Sequence, residues 1–217
     1  MLCVALFTRH LSVVLCIISV MKTKEAAPAF ESRKYSIEEY LRLEEQPEEK
    51  LEYFEGEIYP RYPTNSRHSM IIKNIIAEWP NRMTNFSPFG PYHRIHIPSR
   101  TFFTYPDLSI VRGEVKRFNK DNRSIINPSV IIEVVSEATM NYDRGQKFEL
   151  YRAIDTLEEY IMVDSEIMYV EAWYINERGR WELREYKPPQ DIFSIKTINA
   201  PFSLRAIYDG IVFSESL

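Results

Sequence analysis

The 217-residue chain has two cysteines, Cys3 and Cys16, both in its first twenty positions. The rest of the sequence therefore holds neither a disulfide framework nor a cysteine zinc site, and a reducing, cytoplasmic setting is the expectation. Glycine is also scarce, at 6 residues. No glycine-rich phosphate loop, G-x-S-x-G or C-x-x-C occurs, so Walker-type nucleotide hydrolysis, nucleophile-elbow acyl transfer and thiol redox chemistry have no basis. Positive charge is not in excess either: Lys and Arg number 27 against 31 Asp and Glu, a net charge of −4. A protein that coats nucleic acid is usually basic, so any nucleic-acid contact here is local or metal-assisted. An apolar run long enough to span a bilayer is missing too. Leu11–Met21 (LSVVLCIISVM) falls well short of the ~20 residues that a spanning helix takes.

That run is nonetheless signal-like, with Arg9 and His10 before it and Lys22 and Lys24 after it. No A-x-A cleavage site follows, and the favoured reading is a tail preceding a true start at Met21. Export or weak membrane anchoring is the minor alternative. The expected organisation is a tail and linker over residues 1–34 and a single domain over residues 35–217, for which no membrane partner is expected.

Tyr and Phe, at 14 and 12, suit a strand-rich core. Ser36 and Glu39 form a capping box that predicts a short helix carrying Ile37, Tyr40 and Leu41 and stopped by Pro47. KLEYFEGEIY predicts a strand bent at Gly56, and Ser66 to Met83 a second helix that Pro80 kinks or ends. A proline-rich turn is expected over residues 88–91. YHRIHI, the LSIV that follows Pro106, and EEYIMVD read as strands. PSVIIEVVS reads as a central strand buried on both faces, because its apolar residues do not alternate with polar ones. Asp143 is expected to cap a helix reading RGQKFELYRAI. MYVEAWYIN and RWELREYK form a hairpin, and FSLRAIYDGIVF a strand or turn on the sheet edge. The sum is an α/β fold, a mixed central sheet flanked by helices with a C-terminal hairpin added.

Glu133 stands out within this pattern because its neighbours are Ile131, Ile132, Val134 and Val135. A buried lone carboxylate costs several kcal/mol unless it is paired or bound to metal. Asp107, just before the LSIV strand, raises the same problem, and the two can meet across neighbouring strands. Paired carboxylates with water make a magnesium site with positions open to a phosphate. Lys147, early on the helix after the Glu133 strand, can reach back to that strand. Taken singly, each has an ordinary explanation: a turn aspartate, a solvent-facing strand glutamate, a surface lysine.

The stretches LEYFEGEIY, YPDLSIV, NPSVIIEVVSEAT, YDRGQKFELYRAI and LEEYIMVD, with a helix opening at His68, together resemble the Uma-two family of restriction endonucleases, a branch of the PD-(D/E)XK nuclease superfamily. The likeness covers roughly residues 35–210. It implies a restriction-endonuclease-like fold and catalysis by Asp107, Glu133, Lys147 and Glu52. Asp107, Glu133 and the backbone carbonyl of Val134 would hold Mg²⁺, or Mn²⁺ in its place. The sequence departs from the superfamily in having Val135 two residues after the glutamate, where the lysine usually stands; Lys147 takes that part from the next helix. It departs from the family in reading Ser136-Glu137-Ala138 after the strand, and the N-terminal tail has no family counterpart.

The activity expected is hydrolysis of DNA phosphodiester bonds by metal-activated water. A homodimer would supply one site for each strand of a duplex. His68, Arg112, Lys116, Arg117 and Lys120 are candidates for contact with nucleic acid, the last four on a basic loop that would track the backbone beside the Asp107 strand. The alternatives are a non-catalytic nucleic-acid-binding or scaffold protein on the same fold, and a hydrolase of RNA or another phosphodiester.

Overall fold

The computed structural model describes residues 33–45, 50–61, 64–79, 83–119 and 121–213. The tail up to residue 32, Pro47, Pro80 and Lys120 lie outside these. Helix α1 (Ile37–Leu43) starts at the expected capping box, in which the Glu39 amide donates to Ser36 Oγ at 3.1 Å and the Ser36 amide to Glu39 Oε2 at 2.7 Å. The following stretch is a hairpin, where one bent strand was expected: β1 (Leu51–Phe54) and β2 (Glu57–Pro60) pair antiparallel. Glu55 and Gly56 turn the chain with φ of 47° and 93°, and a two-residue hairpin turn of this kind needs positive φ at both positions.

Helix α2 (Ser66–Ala77) is capped by Asn65 and buries Ile71, Ile72 and Ile75. It stops six residues short of Met83, because Trp79 precedes a proline and so disfavours the helical region. Residues 86–89, assigned in part to a turn, form strand β3 (Phe86–Phe89). Its Pro88 is tolerated because β3 is an edge strand paired only with β6.

Strands β4 (Arg94–Ile97), β5 (Phe102–Thr104) and β7 (Ser124–Ile125) join the first hairpin in a five-stranded sheet ordered β2-β1-β5-β4-β7. Strands β6 (Leu108–Arg112), β8 (Val130–Val135), β9 (Glu159–Asp164), β10 (Val170–Ile175) and β11 (Trp181–Tyr186) build a six-stranded sheet ordered β11-β10-β9-β8-β6-β3. The α/β class with mixed sheets is as expected, but these strands divide between two sheets and a further two-stranded sheet lies near the C-terminus. Both larger sheets are mixed, with β8–β9 and β4–β7 parallel among antiparallel pairs. The chain crosses from one sheet to the other at Tyr105-Pro106-Asp107, between β5 and β6.

Central strand β8 is buried along its whole length. Val130, Ile132 and Val134 face a core shared with α2 and with the C-terminal elements β12 (Ile192–Ile195), β13 (Ala200–Ser203) and α5 (Leu204–Ile207). Ile131 and Val135 face a second core containing Phe148, Tyr151 and Tyr160. Strand alternation puts Glu133 on this second face. The helix after β8 begins seven residues earlier than expected. Ser136 caps α3 (Glu137–Tyr142), a π turn follows over Asp143–Lys147, and α4 (Phe148–Tyr151) continues. Asp143 therefore lies inside the helical run and is not its cap. Among the described residues no helix is long and apolar enough to cross a membrane.

Candidate active site

A cleft enclosing about 680 Å³ of space open to solvent lies where the two sheets meet the start of the π turn. Asp107, Glu133, Lys147, Glu52, Val134 and His68 all line it. The register explains the central pair. Leu108 faces Ile132 in the β6–β8 ladder, so Asp107 and Glu133 are the next positions, just past the last rung. The ladder's end leaves these groups free for other partners. The Asp107 amide lies 3.3 Å from Glu133 Oε2, and the Val134 amide donates to Asp107 Oδ2 at 2.8 Å. In an extended strand the amide and carbonyl of one residue leave on the same edge. The Val134 carbonyl therefore also faces the Asp107 side, beyond the end of β6.

Lys147 reaches the strand from its helix. Its Nζ is 2.8 Å from Glu133 Oε1 and 3.5 Å from Asp143 Oδ1. Asp143, Lys147 and Tyr151 recur at intervals of four, which puts them on one side of the helical run. Tyr151, which the sequence assigns to the core, is fully buried yet donates its hydroxyl to Glu133 Oε1 at 2.8 Å. A π turn is rare and often marks a functional site; here it carries two of the three residues on that face. Glu52 comes from the other sheet, through β1, and accepts from Thr104 Oγ1 at 2.5 Å.

Arg61 was missed in the sequence. Its Nη2 lies 2.5 Å from Asp107 Oδ1. His68 Nε2 lies 2.9 Å from Asp107 Oδ2, so of the four nucleic-acid candidates among the described residues His68 alone lines the cleft. The basic loop is not beside the site: Arg112 is at the opposite end of β6, roughly 16 Å along the strand from Asp107. Its guanidinium is taken by Glu158, at 2.6 and 2.7 Å, and by the Thr197 carbonyl. Arg117 binds the Asn122 carbonyl and lies over the Phe89 ring, and Lys116 is exposed.

The family model of Uma2, described as "Putative restriction endonuclease", matches residues 37–206. The chain belongs to this family. Two Synechocystis proteins, both described as uncharacterized, are each 32% identical to it. One alignment covers 86% of this chain and 98% of the relative, the other 68% and 84%. A crystal structure described as "a putative nuclease" from Anabaena variabilis matches with a TM-score of 0.62 at 17% identity. It covers 82% of this chain and 99% of its own, and the likeness shows a shared fold.

The electrostatics of the Uma2 cleft set four carboxylates (Glu52, Asp107, Glu133 and Asp143) against two permanent cations, Arg61 and Lys147. Burial pushes Glu133 up to about 7. Lys147 pulls it down, but Asp107 and Asp143 add to the rise. Burial likewise raises Asp143 above the usual carboxylate range, Lys147 opposing. Burial works against the charge on Lys147, yet Glu133, Tyr151 and Asp143 hold its ammonium well above the ordinary lysine value. Burial also pushes Asp107 up, but His68, Arg61 and the Val134 amide outweigh it and leave that carboxyl low. Burial is the largest cause for Glu133 and Asp143, and the crowding of carboxylates adds to it; the same crowding is what holds the Lys147 proton.

Among the described residues no three His, Cys, Asp or Glu side chains form a ready metal cage, and Asp107 is paired with Arg61 and His68. The donor set still fits a hard divalent ion. Its ligand atoms are carboxylate and carbonyl oxygens, the local charge is negative, and the Tyr142 hydroxyl and His68 Nδ1 are buried without a hydrogen-bond partner.

Proposed function

We propose that this protein is a metal-dependent endonuclease that hydrolyses DNA phosphodiester bonds. The observation that carries the reading is the assembly of Asp107, Glu133 and Lys147, which lie 26 and 14 positions apart in sequence, at the open end of the β6–β8 ladder. Asp107, Glu133 and the Val134 carbonyl would hold Mg²⁺ or Mn²⁺, with Glu52 across the cleft. A divalent ion bound there supplies Lewis-acid polarisation of the phosphate and acidifies water.

The chain's own residues do the rest. The Lys147 ammonium, fixed between Glu133 and Asp143, donates a hydrogen bond toward the cleft and opposes the negative charge that develops on the phosphate. Glu133 and Tyr151 fix the position of that ammonium. Asp143 helps to keep it protonated. Burial of the cluster strengthens each of these interactions relative to bulk water. A duplex cut on both strands needs two such clefts, and a symmetric homodimer would supply them.

The test is incubation of the full chain with supercoiled plasmid and, in parallel, with structured RNA, in Mg²⁺, Mn²⁺ or EDTA. The expected result is nicking or linearisation of the plasmid that EDTA abolishes. Asp107→Asn, Glu133→Gln and Lys147→Met are each expected to lower the rate by about 10²–10³-fold. Cleavage that persists in all three folded variants would remove this site from the reaction. Cleavage confined to RNA would move the substrate class. Metal binding without any cleavage would favour the non-catalytic reading, for which the Arg61–Asp107 pair already speaks because it satisfies Asp107 without metal.

A further inference from the structure

We infer that Arg61 is a displaceable stand-in for the metal at Asp107, and that its guanidinium moves to the substrate phosphate when the cation binds. The inference rests on the metal-dependent reading above and goes beyond it in assigning Arg61 two positions.

Arg61 follows directly after β2, and its backbone amide is anchored to the Lys50 carbonyl at 2.8 Å. The side chain enters the cleft and remains 20% exposed, against 3% for the Asp107 it pairs with. Its contacts within the site are few: Nη2 on Asp107 Oδ1 at 2.5 Å, and Nη1 on the Pro91 carbonyl at the 3.5 Å limit of a hydrogen bond. The other Asp107 oxygen is occupied by His68 and the Val134 amide. Oδ1 is therefore the oxygen a metal would take, and Arg61 covers it.

An arginine cannot escape this competition by losing its proton. Two positive centres on one carboxylate oxygen repel each other, so loading the metal expels the guanidinium. The Pro91 carbonyl offers it one weak acceptor. The cleft offers a better one as soon as a phosphodiester arrives, because a planar guanidinium matches two phosphate oxygens. Arg61 thus opposes the metal when the metal binds alone and supports it when DNA binds with it. A residue with a merely structural role would not reverse sign in this way.

Arg61→Gln in the full chain separates the two effects. Titration calorimetry with Mn²⁺ alone is expected to show tighter binding. An adjacent arginine shifts a carboxylate by about 1–3 pKa units, so the gain should be roughly tenfold or more. Binding of a short DNA duplex in Ca²⁺, read by fluorescence anisotropy, is expected to weaken by roughly tenfold as one phosphate contact is lost. Arg205→Gln makes the same charge change at a side chain 83% exposed and outside the cleft, and is expected to alter neither quantity. Unchanged or weaker Mn²⁺ binding by a folded Arg61→Gln protein would overturn the inference and leave the nuclease reading standing. An equal gain in Arg205→Gln would also overturn it, by reducing the effect to net charge. A wild-type protein that binds no Mn²⁺ would overturn both.

Discussion

Lys147→Met removes the ammonium from between two buried carboxylates and leaves both without their nearest cation. The distances involved, 2.8 Å to Glu133 and 3.5 Å to Asp143, and the burial of all three residues place this among buried pairs. Removing one partner of such a pair costs about 3–5 kcal/mol. For a chain of this size that is a fall of roughly 10 °C in unfolding temperature, at about 2–4 °C per kcal/mol. The cost must depend on pH. Glu133 has a folded value of about 7 against an ordinary 4.5, so the folded state binds the proton more tightly than the unfolded chain. Its contribution to stability is therefore fully present below pH 4.5 and is lost as pH rises through about 7. Without Lys147, the group that pulls Glu133 down, this loss deepens and extends to higher pH. The variant should then lie close to wild type at pH 5, where protonation neutralises Glu133, and fall furthest behind at pH 8.5. Urea unfolding of both proteins at the two pH values, without divalent metal, measures the difference directly. A deficit of the same size at both would show that the ammonium does not compensate Glu133, and would break the electrostatic account of the cleft.

Two further outcomes follow from the same structure. A metal that uses Glu133 must displace the proton held there below pH 7, so Mn²⁺ affinity should fall by up to about tenfold per unit as pH drops from 7 toward 5, with release of one proton; calorimetry in buffers of different ionisation enthalpy measures both, and an affinity flat across that range would remove Glu133 from the ligands. Arg94 is 2% exposed and pairs with Glu44 at 3.0 Å and Asp121 at 2.7 Å; Arg94→Met leaves both acids uncompensated and should cost about 3–5 kcal/mol in urea unfolding, whereas a loss below about 1 kcal/mol would show that the pair is dispensable.

The parts of the fold legible in the sequence are those whose signal is local. The capping box at Ser36 specifies the start of α1 through contacts three residues apart. The unbroken apolar run of β8 implies a strand covered on both faces, and W-E-L-R-E-Y beside its partner strand implies a hairpin. Strand β3 was hidden because F-S-P-F carries a proline, which reads as a turn unless the strand is known to lie at an edge. The start of α3 was hidden for a related reason: Ser136 caps it with Thr139 in place of the Glu or Gln of the usual box. The division into two sheets has no local signal at all. Thr104 and Leu108 are four residues apart in one extended stretch, and only their partners, β1 and β4 for one strand and β8 and β3 for the other, separate them.

The candidate site divides along the same line. Glu133 is legible because it interrupts an apolar run, and Asp107 because it adjoins one. Asp143 and Tyr151 were open to reading, since with Lys147 they recur every four residues and so share the face that must meet β8. Arg61 was not, because nothing in the stretch PRYPTNSRH distinguishes the arginine that meets Asp107, 46 positions away, from an ordinary loop cation. This asymmetry has a physical cause. Burying a carboxylate is costly, so it leaves a mark in the hydrophobic pattern around it. A cation at the rim of a cleft is half hydrated and costs little wherever it falls. The acids of the cleft are thus marked by the core that surrounds them, and so is Lys147, buried between two of them, while Arg61 is placed by a loop and stays partly exposed.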